Sequence, residues 1–343
     1  MALWLSQLGA HVTGYALAPP TKPNNFEASH VGDVLVEDVR GDIRDAELMT
    51  DVVRRCAPVA VFHLAAQPIV RASLVDPRET FDVNVVGTAS VLDAVRIAGG
   101  PCAVVVATSD KCYRNDGQVW GLREIDPLGG HDPYSASKAG SELVVDAYRS
   151  SFFPVGTIAE HGVRLASVRA GNVIGGGDWA DDRIVPDAVR ALASGQGLVV
   201  RNPASTRPWQ YVLEPLSGYL QLAARLLSDT PALWAEAWNF GPMISDEAKV
   251  ADLATAVVEA WGSGGWTTPS EAGTDVEAKT LRIAIDKAVS TLGWRPRWHL
   301  DETVKRTVDW YRHFYEDPTG SMREHSLDDI EAYEASSRDP AVN

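Results

Sequence analysis

Two short segments of this chain carry side chains that can move protons. Thr108-Ser109-Asp110-Lys111 brings together two hydroxyls, a carboxyl group and an amine. Tyr134-Ser135-Ala136-Ser137-Lys138 places a phenol four residues ahead of a second amine. On a helix that spacing puts Tyr134 and Lys138 on one face, one turn apart. A lysine ammonium so placed is expected to lower the phenol pKa and make Tyr134 a usable base near neutral pH. An ordinary surface pair would satisfy the same spacing; the Asp-Lys pair at the preceding strand end favours chemistry.

Both segments need a scaffold. The run Ala103-Val104-Val105-Val106-Ala107 stops at Thr108 and reads as a buried parallel strand. The turn Gly129-Gly130-His131-Asp132-Pro133 precedes Tyr134, and a helical pattern continues over 139–149. Further strands are expected at 11–15, 34–39, 59–63 and 166–169, with short ones at 198–201 and 209–212. Helices are expected at 3–8, 77–97, 184–193, 215–227, 247–261 and 303–315. Strands alternating with helices predict an α/β fold with a doubly wound parallel sheet. Gly175-Gly176-Gly177-Asp178-Trp179 reads as a loop over substrate and 262–274 as a surface loop. The segment from 317 on reads as one short helix and a loose end.

A dinucleotide-binding sheet of this kind opens with a strand, a glycine turn and a helix. No G-x-G-x-x-G or G-x-x-G-x-x-G precedes a helix in this chain. The first strand and its glycine loop are therefore expected to be missing. The chain as written is expected to express poorly and to hold a dinucleotide weakly.

Composition sets the outer limits. A chain of 343 residues, 45% hydrophobic and 22% charged, has the make-up of a globular protein of one large or two modest domains. No apolar run approaches the roughly 20 residues of a membrane helix, and the first residues lack the basic flank of a signal peptide. The net charge of −15 argues against nucleic acid and anionic membrane as partners, so an anionic substrate requires a local arginine cluster. Cys56, Cys102 and Cys112 show no metal-ligand spacing, which predicts no metal and suits a reducing cytoplasm.

Longer segments carry a family resemblance. They are His63-Leu64-Ala65-Ala66-Gln67-Pro68, Asp132-Pro133-Tyr134-Ser135-Ala136-Ser137-Lys138 and Arg169-Ala170-Gly171-Asn172-Val173-Ile174 with the glycine loop behind it. Asp182-Arg183-Ile184-Val185-Pro186, Arg207-Pro208-Trp209-Gln210-Tyr211 and Trp238-Asn239-Phe240-Gly241-Pro242 continue the pattern. With these the chain resembles the extended short-chain dehydrogenase/reductases from residue 1 to about 335. Relatives acting on dTDP-glucose carry Asp-Glu where this chain has Asp110-Lys111, so the likeness is to the branch that dehydrates CDP-glucose.

The resemblance implies a Rossmann-type lobe over 1–174, with a return segment at 211–240. A smaller sugar-nucleotide lobe would comprise 175–210 and 241–343. It implies NAD as cofactor, CDP-glucose or a related sugar nucleotide as substrate, and a homodimer built on helices 77–97 and 134–149. Tyr134 would take the C4 hydroxyl proton, Lys138 would hold the nicotinamide ribose, and Ser109, with Thr108 beside it, would bond the C4 oxygen. Asp110 would protonate the departing C6 hydroxyl, which requires a carboxyl pKa raised by burial. Lys111 would act as the C5 base or as an ammonium that orients substrate.

Asp42 and Ile43 would meet the adenine, and Leu64, Ala65 and Ala66 would let the cofactor backbone approach. Gln67 and Asn84 are weaker cofactor candidates; Asn84 could instead satisfy backbone groups within its own helix. Arg183, Arg201 and Arg207 would take the substrate pyrophosphate and Asn172 a phosphate or sugar oxygen. Trp179 and Trp209 would line the nucleotide pocket. The rival readings are a sugar-nucleotide 4-epimerase, which needs no acid such as Asp110, and a non-catalytic nucleotide-binding remnant.

Overall fold

A computed structural model describes residues 1–269 and 281–336. The ends of the two expected loose segments, 270–274 and 337–343, lie outside the described residues. The centre is a parallel sheet of four strands: β3 (Ala60–His63), β4 (Cys102–Ala107), β5 (Val163–Ala170) and β6 (Ala237–Phe240), in the order β6-β5-β4-β3. β1 (Val12–Ala16) and β2 (Leu35–Arg40) form a separate parallel pair.

Alternation along β4 sends successive side chains to opposite faces of the sheet. Val104 and Val106 pack with Met49, Val53, Leu92 and Val145. Ala103 and Val105 pack with Leu222, Leu226, Trp238 and Phe240. Both faces are covered, which is why the strand reads as an unbroken apolar run. Ile285, Ala288, Leu292 and Trp294 join the second of these clusters. A third core lies apart from the sheet, where Trp179, Val189, Leu253, Val308, Trp310 and Phe314 pack together.

The helix over Leu213–Leu226 lies against β6 because Gly218 has no side chain. A Cβ built there would meet Phe240 Cε1 at 2.2 Å, deep inside a filled core. Gly218→Ala gains about 1 kcal/mol of helix propensity, but the ring must move, at about 1–3 kcal/mol. Net destabilisation is expected, read as a lower urea midpoint.

Some elements differ from expectation. The helix expected over 77–97 runs as Pro77–Phe81, a π turn at Asp82–Val86 and Gly87–Ala98. The short strands shrink to Leu198–Val199 and Gln210–Tyr211, since each pairs with only a two-residue partner. The helix after residue 317 is Arg323–Ala335, longer than its polar sequence suggested. Its Ile330 and Tyr333 pack against Trp4, Tyr211 and Leu213, a contact that local pattern does not reveal. No described helix is long and apolar enough to cross a membrane.

Candidate active site

β4 delivers Thr108 to the carboxyl edge of the sheet, where open α/β sheets bind ligands. Ser109 then caps a single 3-10 turn, Asp110–Cys112. Its hydroxyl accepts from the Lys111 backbone N–H at 3.1 Å and donates to Asp110 Oδ1 at 3.0 Å. Asp110 is 3% exposed, and its second oxygen, Oδ2, has no hydrogen-bond partner. Burial pushes its carboxyl up to about 6, against the pull of the Lys111 ammonium, the Ser109 hydroxyl and the Arg207 guanidinium. An acid of that strength can hold a proton for delivery.

That proton has a stability consequence. In the folded chain Asp110 stays protonated to about pH 6, against an ordinary value of 3.8. The folded state binds more protons in that window, so stability falls as pH rises from about 4 to about 6. Asp110→Asn removes the cost. It is expected to melt higher than wild type at pH 7–8, with the difference vanishing below about pH 4.

The helix Pro133–Ser151 starts on Asp132, whose carboxylate accepts from Ser135 N–H, with Pro133 in its first turn. Asp132, Pro133 and the first turn thus fix where Tyr134 stands. The backbone N–H of Tyr134 donates to Ser73 Oγ at 3.1 Å, tying it to the helix Val70–Val75. Tyr134, Lys138 and Glu142 are all buried and lie on successive turns of one face.

The electrostatics correct one expectation. Burial pushes the Tyr134 phenol up to about 12, and Asp110 adds to the rise. The largest pulls against it come from the Ser109 hydroxyl and the Arg183 guanidinium. Lys138 is itself brought down to about 8 by burial. Desolvation is the largest cause of both shifts. His63, at the end of β3, shares a 3.1 Å hydrogen bond with Thr88 and is held neutral by burial and by the Lys138 charge.

The sequence pattern missed what lies beneath. Glu142 accepts from Thr108 Oγ1 at 2.5 Å, Ser167 Oγ at 2.8 Å and Arg169 Nη2 at 2.7 Å. Thr108 therefore faces this carboxylate. Arg169 also donates to Tyr113 OH at 2.7 Å and to the Glu124 carbonyl at 3.1 Å. Glu142 sits eight residues after Tyr134, so helical spacing alone could have flagged it.

On the cofactor side, Lys138 bears on the fit. No described hydrogen bond engages the Lys138 ammonium, which is buried beside Tyr134. Ribose hydroxyls of a dinucleotide would supply the acceptors it lacks. Ala65 and Ala66 are half-buried and Leu64 is exposed. The Asp42 carboxylate is held by Arg44, which donates to it from three nitrogens, so its free capacity is small. Ile43 is buried and leans on Gly87. Asn84 does not serve its own helix: it accepts from Gln67 N–H at 2.8 Å and donates to the Gln67 carbonyl and to Ser137. The Gln67 side chain is taken up by Thr80 and the Ile69 N–H.

The arginines of the second half lie at different depths. Arg183 pairs with Asp178 at 2.9 Å and, with the three glycines of 175–177, lines a cavity of about 400 Å³. Gly176 has to be glycine, since a Cβ there would meet Trp310 Cγ at 2.1 Å. Arg207 is buried and acts on Asp110. Arg201 lies further out, exposed and sharing Asp182 with Arg71. Asn172 is half-buried and accepts from Gln210 N–H through its carbonyl. Trp179 and Trp209 are each 5% exposed within the third core, and Trp179 packs on Trp310, Tyr311 and Phe314. Core packing, rather than an open pocket wall, surrounds both indoles. Among the described residues no cluster of His, Cys, Asp and Glu could hold a metal ion.

Comparison with known proteins shows the family. The chain is 49% identical to the CDP-glucose 4,6-dehydratase of Salmonella typhimurium over 313 residues, covering 91% of this chain and 86% of that protein. A dTDP-glucose 4,6-dehydratase of Streptomyces venezuelae, solved with NAD bound, superimposes with a TM-score of 0.67 at 25% identity, covering 82% of each chain. A UDP-glucose 4-epimerase of Thermotoga maritima shares the fold, with a TM-score of 0.75 at 20% identity over 90% of this chain and 93% of its own. The family model described as GDP-mannose 4,6 dehydratase matches residues 21–307. The chain therefore belongs to that dehydratase family, a branch of the extended short-chain dehydrogenase/reductases.

Proposed function

We propose that this chain dehydrates CDP-glucose to CDP-4-keto-6-deoxyglucose with NAD as cofactor. The observation that carries the reading is Asp110: a buried carboxyl raised to about 6, one oxygen unpartnered, beside Tyr134 and Lys138. An epimerase has no leaving group to protonate. Expulsion of water does.

NAD, when bound, supplies a reversible acceptor for hydrogen together with its electron pair. The protein's own groups handle the protons. Tyr134 accepts the proton of the C4 hydroxyl, assisted by Ser109 and Arg183, which favour its anionic form. Ser109 orients the C4 oxygen, and Lys138 holds the ribose next to it. The C4 ketone acidifies the C5 proton. Lys111, as the amine, takes that proton, and the C6–O bond breaks as Asp110 protonates the oxygen and water leaves. Return of hydrogen with its electrons to C6 and of a proton to C5 completes the 4-keto-6-deoxy sugar. Once it carries that proton, Lys111 is a positive charge beside the acid that opposes its rise.

Arg183 and Arg207 would meet the diphosphate. The first lobe comprises 1–174 and 211–240 and the substrate lobe the remainder. Exposed apolar side chains at Phe81, Val86, Ile97 and Leu143 lie on the segments expected to pair, which supports a homodimer. A cytoplasmic location follows from the sugar-nucleotide substrate.

CDP-glucose, dTDP-glucose and UDP-glucose offered in parallel test the reading, scored by the alkali absorbance of 4-keto sugars. CDP-glucose is expected to turn over fastest. A preference for dTDP-glucose would refute the branch, and CDP-galactose without keto product would refute dehydration.

A further inference from the structure

One buried ion pair stands behind the catalytic face. Glu142 is 3% exposed and Arg169 equally so, and they meet at 2.7 Å. Buried ion pairs seldom add net stability over packed apolar groups. Their partners here suggest another use. Glu142 grips Thr108, the residue before Ser109, and Arg169 grips Tyr113, the residue after the turn. The two ends of the turn bearing Ser109, Asp110 and Lys111 are thus tied to one charge pair. Tyr113 passes its own proton to Asn239 Oδ1 at 2.7 Å, extending the tether to β6.

Glu142 also bears on Lys138, one turn away on the same helix. The titratable groups facing Lys138 are Glu142 and Tyr134 from its own helix, Cys112 from the turn and His63 from β3. His63 is neutral, Tyr134 is protonated, and burial keeps the Cys112 thiol protonated. Among these, only Glu142 carries a negative charge.

We propose that Glu142, clamped by Arg169, is a positioning residue that pins the Ser109–Asp110 turn and supplies the counter-charge of Lys138. The inference rests on the catalytic reading given above for Asp110 and Lys138. Glu142→Gln keeps the shape and removes the charge. Turnover is expected to fall by about 10²-fold, the scale of a small misplacement at a reacting centre, and the alkaline limb of the kcat profile should move to lower pH.

Because Glu142→Gln strands a buried guanidinium, the double variant Glu142→Gln with Arg169→Met removes both charges together. Glu142 acts on Lys138 more strongly than Arg169 does, so losing both charges should keep the direction of that effect at reduced size. A purely structural pair would let the double variant recover wild-type turnover. The inference expects turnover to stay low. It also expects the titration midpoint of Lys138, followed by its 13Cε resonance in substrate-free protein, to lie below wild type. Wild-type kcat and an unmoved midpoint in the double variant would overturn it. The resonance needs no substrate, so a chain inactive on CDP-glucose would sink the functional reading while this measurement still judged Glu142.

Discussion

The Asp110→Asn variant is expected to lose turnover by roughly 10²–10⁴-fold, the usual range for a missing general acid. The defect should fall on water loss alone. Asparagine keeps the size of the side chain, so the Ser109 turn and the Tyr134 helix retain their positions. Oxidation at C4 then proceeds, and a 4-keto sugar that still holds its C6 oxygen accumulates. Mass spectrometry of a quenched single turnover detects it as a nucleotide sugar two hydrogens lighter than substrate. Full dehydration by Asp110→Asn would assign the acid elsewhere. The acid form of Asp110 thins out above about pH 6, so wild-type dehydration should also slow relative to C4 oxidation as pH rises.

The second large effect belongs to Tyr134. Tyr134→Phe removes the phenol oxygen from a buried site without opening a cavity, and at least 10²–10⁴-fold of C4 oxidation should go with it. Here nothing accumulates, because the first step is the one lost. The proton balance gives a further check. Burial keeps the phenol protonated at neutral pH, with the phenolate as the minor form. C4 oxidation should therefore climb with pH, until Lys138 sheds its proton near pH 8. A single-turnover rate that is flat from pH 6 to 8 would remove Tyr134 as the proton acceptor.

Much of the scaffold was legible because its signals are local. The apolar run at 103–107 is a strand covered on both faces. Asp132 and Pro133 start a helix that sets Tyr134 and Lys138 one turn apart. Strand–helix alternation specified the parallel sheet. Less was legible where partners are distant. Helix Arg323–Ala335 gains its apolar face from Trp4 and Tyr211, far away in the chain. Trp179 and Trp209 have the residue type of a nucleotide stacker, yet the core that encloses them draws on helices Val250–Trp261 and Leu300–Glu316, more than 40 residues away in sequence.

The sequence by itself determined which groups are available and on which element each one rides, since spacing on a helix and position at a strand end are local geometry. Only the tertiary structure decided their protonation. The spacing of Tyr134 and Lys138 predicted a lowered phenol; burial reversed the sign, because desolvation depends on what packs over a group and not on its neighbours in the chain. The same burial raised Asp110 into the range of an acid. It also brought Glu142 and Arg169 together across 27 residues, where no local pattern could pair them, because two charges are driven to meet once packing has taken water away from both.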